Sequence, residues 1–260
     1  MLKKLALIGC GAIASEIVEA VNQGVIEAEI TAFMDLAPEK CLRLQQLAPR
    51  ARIARNIEEL LETRPDLVVE AASQEAVRQY ALRVVEAGVD LVVLSAGALL
   101  DKELLEKLNR EAEQRGVHVY VPTGALAGLD AVRALRRAGI RRLLLRTVKP
   151  PKSLGVEVNE PRVLYRGPAS EAVRLYPFNV NVAAALSLAA GMEAEVEIVA
   201  DPRIERNTHI VIVESKASRL EIRVENVPSP RNPRTSLLAA LSTIELLRRI
   251  TRSGGVEVGS

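Results

Sequence analysis

The chain has 260 residues, of which 48% are hydrophobic and 26% are charged, and its formal net charge is +2. This composition is typical of a globular protein large enough for two lobes, and it excludes a disordered chain. The near-balanced charge, the 2% of aromatic residues and the absence of a basic block argue against a nucleic-acid-binding protein. No apolar run is long enough to span a membrane and no signal peptide is recognisable, so we expect a cytoplasmic protein.

Several residue types limit the possible chemistry. Cys10 and Cys41 are the only cysteines, and they indicate no disulfide framework. Neither metal-ligand spacing nor a Cys-His or Ser-His-Asp nucleophile set is present, so no metal site is expected. The chain is rich in Leu, Val, Ile, Arg and Glu and poor in Gln, Cys and Met, which is typical of a thermophile.

The first predicted strand leads directly into a glycine-rich turn, Gly9-x-Gly11-x-x-Ala14, and then into a helix. Gly9 permits the tight turn, Gly11 lets phosphates approach the backbone, and Ala14 keeps the helix close to the sheet. The unpaired N–H groups at the start of the helix then face the anion. An incidental glycine turn is the alternative, but the strand–turn–helix context favours a pyrophosphate site. The predicted contacts are Gly9, Gly11, Ala12 and Ile13.

Strand-like and helix-like segments alternate as far as Pro122. The strand-like runs are continuously apolar, as in a parallel sheet that is buried on both faces. Helical spacing marks the segments between them, and Gly88 and Gly116 are placed to end two helices. Residues 1–122 are therefore predicted to form an α/β domain, a Rossmann-type doubly wound parallel sheet that binds a dinucleotide. The predicted strands are Lys4–Ile8, Ile30–Met34, Leu67–Glu70, Leu91–Leu94 and Val117–Val121, and the predicted helices include Ile13–Val21, Glu75–Ala87 and Lys102–Gln114.

Asp35 ends the second predicted strand, about two dozen residues after the glycine turn. A carboxylate at this position accepts hydrogen bonds from the adenosine ribose hydroxyls and repels a 2′-phosphate. No arginine follows Asp35 directly, so the sequence favours NAD, with NADP as a possible second cofactor. The alternatives are a solvated loop aspartate or a cap for a helix that starts at Pro38.

Small residues follow two later strands, in Glu70-Ala71-Ala72-Ser73 and in Ser95-Ala96-Gly97-Ala98. At the carboxyl ends of parallel strands, such residues let a dinucleotide lie across the sheet edge, and their backbone amides can contact it. Simple tight turns between strand and helix explain the same residues almost as well. The predicted cofactor contacts here are Ala72, Ser73 and Ala96.

The pattern changes after Pro122, where a second α+β lobe with a mostly antiparallel sheet is predicted over residues 123–233. A helix within residues 234–252, capped by Thr235 or Ser236, is expected to pack back on the first lobe. The predicted helices of this part are Leu129–Ala138, Val180–Ala190 and Leu237–Ile250, the predicted strands are Leu143–Val148, Glu195–Ala200, His209–Glu214 and Leu220–Glu225, and Pro228–Pro233 is predicted to be a rigid linker.

The chain has two histidines, His118 and His209. His118 opens a predicted strand and is interpreted as structural or exposed. His209 enters a strand after a polar stretch, and a histidine titrates near neutrality, where it can exchange a proton during hydride transfer. Asn207 and Asp201 are near enough in sequence to orient it, although a lone histidine is more often structural than catalytic.

Two further side-chain types are candidates for holding ligands. Asn179 precedes an Ala-rich helix, where an Asn is usually a cap but can instead hold a nicotinamide carboxamide or a substrate carboxylate. Four basic residues are candidate cations for a ligand, and the alternative is that their side chains are simply solvated. These are Lys149, Lys152, Arg162 and Arg166.

Taken together, these segments resemble the L-aspartate dehydrogenase family over essentially the full length of the chain. The glycine turn is shared by many dehydrogenases, whereas the order of the second-lobe segments is far more specific. The segments that carry the resemblance are Gly9-x-Gly11-x-x-Ala14, Glu70-Ala71-Ala72-Ser73, Leu94-Ser95-Ala96-Gly97-Ala98, Gly124-Ala125-Leu126-Ala127-Gly128-Leu129-Asp130, Asn179-Val180-Asn181-Val182-Ala183-Ala184, Ala200-Asp201-Pro202 with His209, and Asn232-Pro233-Arg234-Thr235-Ser236.

The resemblance implies NAD(P)-dependent oxidative deamination of L-aspartate to iminosuccinate, which yields oxaloacetate and ammonia or feeds NAD biosynthesis. It also implies that His209 is the acid/base, that NAD contacts include Ala125 and Asn179, and that the protein is a homodimer. Asn207 and Lys149 are the predicted substrate contacts.

Two positions depart from the family pattern. Phe178 stands where members often carry a basic residue, which affects how a substrate carboxylate is held, and Thr123 stands where many have Ser. The alternatives are another two-lobe oxidoreductase, of the homoserine dehydrogenase or dihydrodipicolinate reductase type, and a non-catalytic NAD-binding sensor module.

Overall fold

The computed structural model describes residues 2–176, 181–252, 254–256 and 258, with the side chains of residues 233 and 234 left undescribed. The chain forms two compact units, Met1–Pro122 with Ala240–Glu257 and Thr123–Ala239 with Val258–Ser260. None of the described helices combines the length and the apolar character that crossing a membrane requires.

The first unit is built on a six-stranded sheet in which every neighbouring pair of strands is parallel. The strand order is β3-β2-β1-β4-β5-β6, which is the order of a doubly wound dinucleotide-binding fold and confirms the predicted architecture. The elements are β1 (Lys3–Ile8), α1 (Ala12–Asn22), β2 (Ala28–Met34), α2 (Pro38–Gln45), β3 (Arg52–Ile53), α3 (Ile57–Leu61), β4 (Leu67–Glu70), α4 (Gln74–Glu86), β5 (Asp90–Val93), a 3-10 turn (Ala96–Leu100), α5 (Lys102–Arg115) and β6 (Val119–Tyr120).

The apolar runs become the central strands because both faces of this sheet are covered by helices. All four residues of β4 are buried, and the last four of β1 are buried as well. Gly116 ends α5 in the left-handed conformation, with φ of +68°, which glycine adopts without a steric penalty. Leu247 from the C-terminal helix is fully buried in the core of this unit.

The second unit contains a five-stranded sheet in the order β11-β10-β7-β9-β8. Only the β7–β9 pair of this sheet is parallel, so the predicted mostly antiparallel arrangement is confirmed. The elements are α6 (Leu129–Leu135), a 3-10 turn (Arg136–Ala138), β7 (Ile140–Lys149), α7 (Pro151–Leu154), β8 (Arg162–Pro168), α8 (Ala169–Leu175), α9 (Asn181–Ala190), β9 (Glu195–Ala200), β10 (Asn207–Ser215), β11 (Arg219–Asn226), β12 (Pro228–Ser229), β13 (Asn232–Ser236) and α10 (Leu237–Thr251).

The predicted linker over Pro228–Pro233 is wrong, because these residues belong to a small antiparallel hairpin of β12 and β13. Proline is tolerated in a two-stranded sheet of this kind because its missing N–H falls at an edge or at the first residue of a strand. α10 begins at Leu237, as predicted, and two hydrogen bonds tie its start to the end of β11. The Ser236 hydroxyl donates to Asn226 Oδ1 at 2.6 Å, and the Leu237 N–H donates to the Val227 carbonyl.

Candidate active site

The backbone conformation at position 9 and the space around it require a glycine. Its φ is +94°, and a Cβ built there would lie 2.6 Å from the Ala71 carbonyl oxygen. Its N–H donates to the Met34 carbonyl at 2.7 Å, which ties the turn after β1 to the end of β2. Any larger residue would strain the turn and collide with the backbone that follows β4.

Gly11 is different, because neither conformation nor packing within the protein requires a glycine there. Its φ is −89°, and no described atom lies within 4 Å of a Cβ built on it. Gly11 is the N-cap of α1, and no side chain among the described residues caps this helix. The open space beside Gly11 and the uncapped N–H groups of Ala12 and Ile13 fit the pyrophosphate of a dinucleotide.

Asp35 organises the glycine turn from the side of β2. Its Oδ2 accepts the Cys10 N–H at 2.8 Å and its Oδ1 accepts the Ala37 N–H at 2.9 Å. Lys40 Nζ lies 3.8 Å from Oδ1, and the side chain of Asp35 is 12% exposed. Asp35 is therefore neither a solvated loop residue nor a cap of α2. Its contact with the adenosine ribose stays a prediction.

A buried carboxylate, Glu70, holds the two small-residue loops together at the ends of β4 and β5. Its Oε1 accepts the N–H groups of Ala72 and Ser73 and the Ser95 hydroxyl, and its Oε2 accepts the Ser95 N–H. Burial raises the pKa of this carboxyl, and the four hydrogen bonds oppose that rise.

These hydrogen bonds bear on the predicted cofactor contacts of the two loops, Ala72, Ser73 and Ala96. The amides of Ala72 and Ser73 already donate to Glu70, and the Ser73 hydroxyl accepts the Ala76 N–H as the cap of α4. Ala96 is buried in the 3-10 turn that follows β5. The backbone amides of Ala72 and Ser73 are thus already used within the protein, and the contact of all three residues with a cofactor stays a prediction.

In the second unit, one end of the sheet brings together a set of polar residues on a single face. His209 in β10 lies directly opposite Thr147 in β7. Side chains alternate along a strand, so Lys149, two residues after Thr147, shares that face, as does Asn207, two residues before His209. Thr147, Lys149 and His209 are all buried. The structure therefore unites the predicted acid/base with both predicted substrate contacts.

The electrostatics of this cluster keep His209 neutral. Burial, and secondly the charge of Lys149, lower the pKa of His209 to about 3. Burial alone lowers the pKa of Lys149 to about 8. His209 Nδ1 lies 3.0 Å from Thr147 Oγ1, a hydrogen bond that fixes the orientation of the ring. At neutral pH the imidazole is a proton acceptor beside an ammonium group.

Asp201, which the sequence suggested as an orienting partner of His209, has another role. Its carboxylate accepts hydrogen bonds from the backbone and the guanidinium of Arg203, and its own N–H donates to the Lys149 carbonyl. The partner found at the His209 ring is Thr147. Arg166 is also engaged, since it pairs with Glu197.

Ala125, a predicted NAD contact, is held beside the same end of the sheet. Its carbonyl accepts a hydrogen bond from Asn226 Nδ2 at 3.2 Å, and Asn226 lies opposite Asn207 in the β10–β11 ladder. Asn179, the other predicted contact of this loop region, lies outside the described residues, as does Phe178.

Sequence reasoning missed Thr147, Asn226 and the organising role of Glu70. Asn226 and Thr147 are polar residues at buried positions of strands, but polar residues in strands are too common for the sequence to single these two out. Their function depends on which strands become neighbours, and that order is set by the tertiary fold.

Comparisons with known proteins match the two parts of the chain to different family models. Residues 9–122 match the family model of the homoserine dehydrogenase NAD-binding domain, and residues 130–250 match the model of the aspartate dehydrogenase C-terminal region. The crystal structure of aspartate dehydrogenase from Thermotoga maritima superposes with a TM-score of 0.80 at 28% identity, covering 99% of this chain and 100% of that chain.

Two curated relatives are similar along nearly their whole length. The L-aspartate dehydrogenase of Methanosarcina barkeri is 44% identical, over 95% of this chain and 96% of the relative. That of Methanothermobacter thermautotrophicus is 42% identical, over 97% of this chain and 98% of the relative. On this similarity and the match of its second unit, the chain belongs to the L-aspartate dehydrogenase family.

Proposed function

We propose that this protein catalyses the NAD-dependent oxidation of L-aspartate to iminosuccinate, which water converts to oxaloacetate and ammonia. The observation that carries the proposal is the buried cluster of Thr147, Lys149 and His209, located in the unit that matches the aspartate dehydrogenase model. It pairs a neutral base with a cation, which are the two groups that oxidation of an amino dicarboxylate requires.

The first unit supplies the residues that fit the cofactor. The space beside Gly11 and the N-terminus of α1 would hold the pyrophosphate, and Asp35 would face the adenosine ribose. When bound, NAD supplies the acceptor for the hydride that leaves Cα of the substrate.

His209 is placed to remove a proton. In the tautomer whose Nδ1–H donates to Thr147 Oγ1, the lone pair of Nε2 is available to accept a proton from the substrate ammonium. An amine must be neutral before its lone pair can assist the departure of hydride from Cα. Once Nε2 has released this proton to solvent, the same nitrogen can accept a proton from the water that attacks the imine carbon.

Lys149 supplies the positive charge that binds a substrate carboxylate. Its burial makes an ion pair with an incoming carboxylate stronger than one in water. A bound dicarboxylate also offsets the ammonium charge that lowers the pKa of His209. Substrate binding therefore raises the basicity of the imidazole at the moment when a base is needed. Asn207, on the same face, is placed to hydrogen-bond the substrate.

We further propose a homodimer located in the cytoplasm of a thermophile, with a product that enters NAD biosynthesis. The composition supports the thermophilic and cytoplasmic parts, and the family resemblance supports the dimer and the pathway. Sedimentation velocity of the purified protein gives its mass, and a monomer would contradict the dimer.

A panel of substrates tests the proposed reaction. NADH formation is followed by absorbance with L-aspartate, L-glutamate and L-homoserine, and NADH consumption with oxaloacetate plus ammonia. We expect turnover with L-aspartate in one direction and with oxaloacetate plus ammonia in the other. Preference for homoserine would support the homoserine dehydrogenase type, and NADH binding without turnover of any substrate would support a sensor module.

A further inference from the structure

The two cysteines of the chain meet inside the first unit, although 31 positions separate them in sequence. Cys10 is the residue between Gly9 and Gly11, and Cys41 lies in α2. Their sulfur atoms are 3.0 Å apart. Cys10 is 6% exposed and Cys41 is fully buried, so the pair lies in the core and is shielded from solvent.

We propose that Cys10 and Cys41 form an intramolecular disulfide that fastens the glycine turn to α2. The two sulfur atoms are about 1 Å from bonding distance. The crosslink is a covalent modification of this chain, and it does not depend on which substrate the protein oxidises.

The location gives the crosslink a structural purpose. The Cys10 N–H donates to Asp35, and Asp35 also accepts the Ala37 N–H just before α2. The turn, the end of β2 and the start of α2 are thus joined on one side by hydrogen bonds. A disulfide would join the same segments through side chains and hold the turn in place when the hydrogen bonds of Asp35 open.

The chemistry balances with a small disulfide as the oxidant. One cysteine thiolate attacks a sulfur of the small disulfide and displaces one thiolate from it, leaving a mixed disulfide. The second cysteine thiolate then attacks the cysteine sulfur of that mixed bond and displaces the second small thiolate. Two electrons pass to the small disulfide, and the two cysteine protons end on the two released thiols.

Burial sets the rate at which this exchange occurs. Burial raises the pKa of the Cys10 and Cys41 thiols, so few thiolates exist in the folded protein and few oxidant molecules reach them. The bond therefore forms during folding or local opening, and once formed it resists reduction. Intracellular disulfides of this kind are found in proteins of hyperthermophiles.

The test starts with the reduced full-length protein, incubated with oxidised glutathione close to its unfolding temperature and then alkylated in denaturant. Mass spectrometry is expected to show a crosslinked peptide pair containing Cys10 and Cys41, with both alkylation sites lost. The matched variants Cys10→Ala and Cys41→Ala each retain one thiol and should carry one glutathione instead. Two alkylated cysteines, or glutathione on each cysteine of the wild type, would overturn the proposal.

Thermal unfolding provides a second readout. The oxidised wild type should unfold roughly 5–10 °C above the reduced protein, because the crosslink restricts the unfolded chain. The two single-cysteine variants cannot form the crosslink and should show no such increase on oxidation. An oxidised wild type that melts at or below the reduced form would show that the bond does not stabilise the turn.

Discussion

At the scale of single residues, His209 makes the stability of the protein sensitive to acid. Its pKa in the folded protein is about 3, below the value of 6.5 expected in the unfolded chain. Between these values the unfolded chain binds a proton that the folded protein does not. The contribution of His209 to stability is therefore complete above pH 6.5 and is lost as the pH falls towards 3.

The variant His209→Gln should remove this acid sensitivity while keeping a polar side chain opposite Thr147. The difference in unfolding free energy between wild type and variant should change by about 4 kcal/mol between pH 7 and pH 3, in favour of the variant at low pH. Urea unfolding of both proteins at a series of pH values measures this free-energy difference. His118→Gln is the matched control, since His118 has an exposed ring, and its curve should follow the wild type. Parallel curves for His209→Gln and wild type would contradict the assigned burial.

Some residues of the candidate site could be predicted from the sequence, and others could not. His209, Lys149 and Asn207 were identifiable because each has a side chain suited to the reaction, and the fold places them on one face. Thr147 was not identifiable, because a threonine in a strand is ordinary until its neighbour across the sheet is known. The same holds for Glu70, because two of its four hydrogen bonds are with Ser95 and depend on the alignment of β4 with β5.

At the scale of elements, the turn between β1 and α1 separates two roles of glycine. Gly9→Ala should destabilise the protein by about 2–4 kcal/mol, because its positive φ and the contact with Ala71 both oppose a side chain. Gly11→Ala should cost no more than about 1 kcal/mol, since alanine is a poorer N-cap than glycine. It should weaken NADH binding roughly tenfold, because the added methyl group occupies space for the pyrophosphate.

A third glycine provides the control for this pair. Gly24 also has a positive φ, of +72°, but a Cβ there would meet open space, so Gly24→Ala should cost about 1 kcal/mol without affecting NADH. Urea unfolding and fluorescence titration with NADH measure the two effects. Normal NADH affinity in Gly11→Ala would place the pyrophosphate elsewhere.

Element prediction succeeded where a pattern is long and continuous. Leu67–Glu70 is a strand with the predicted bounds. A short continuous apolar run is typical of a strand that is buried on both faces of a parallel sheet. The two-residue strand Arg52–Ile53 is too short to carry a pattern. The prolines at 228 and 233 suggested a linker. The structure instead pairs β12 with β13 across a tight turn, which makes a hairpin.

At the scale of the whole molecule, the two compact units carry different parts of the proposed reaction. The first holds the residues that fit the dinucleotide, and it matches a domain model named for homoserine dehydrogenase. The second holds the buried Thr147–His209 pair, and it matches the aspartate dehydrogenase model. Under the proposed function, the first unit would bind the dinucleotide and the second unit would determine which substrate is oxidised. This separation predicts that a change in the second unit can remove turnover without removing cofactor affinity.

The most direct test of this account is the turnover of L-aspartate by His209→Ala, compared with wild type and His118→Ala, with the NADH dissociation constant measured on all three. Loss of a general base typically lowers turnover about 10²- to 10⁴-fold. We predict a loss of that size for His209→Ala, with NADH affinity within about twofold of wild type, and near-normal turnover for His118→Ala. Turnover of His209→Ala close to that of the wild type would remove His209 from the mechanism.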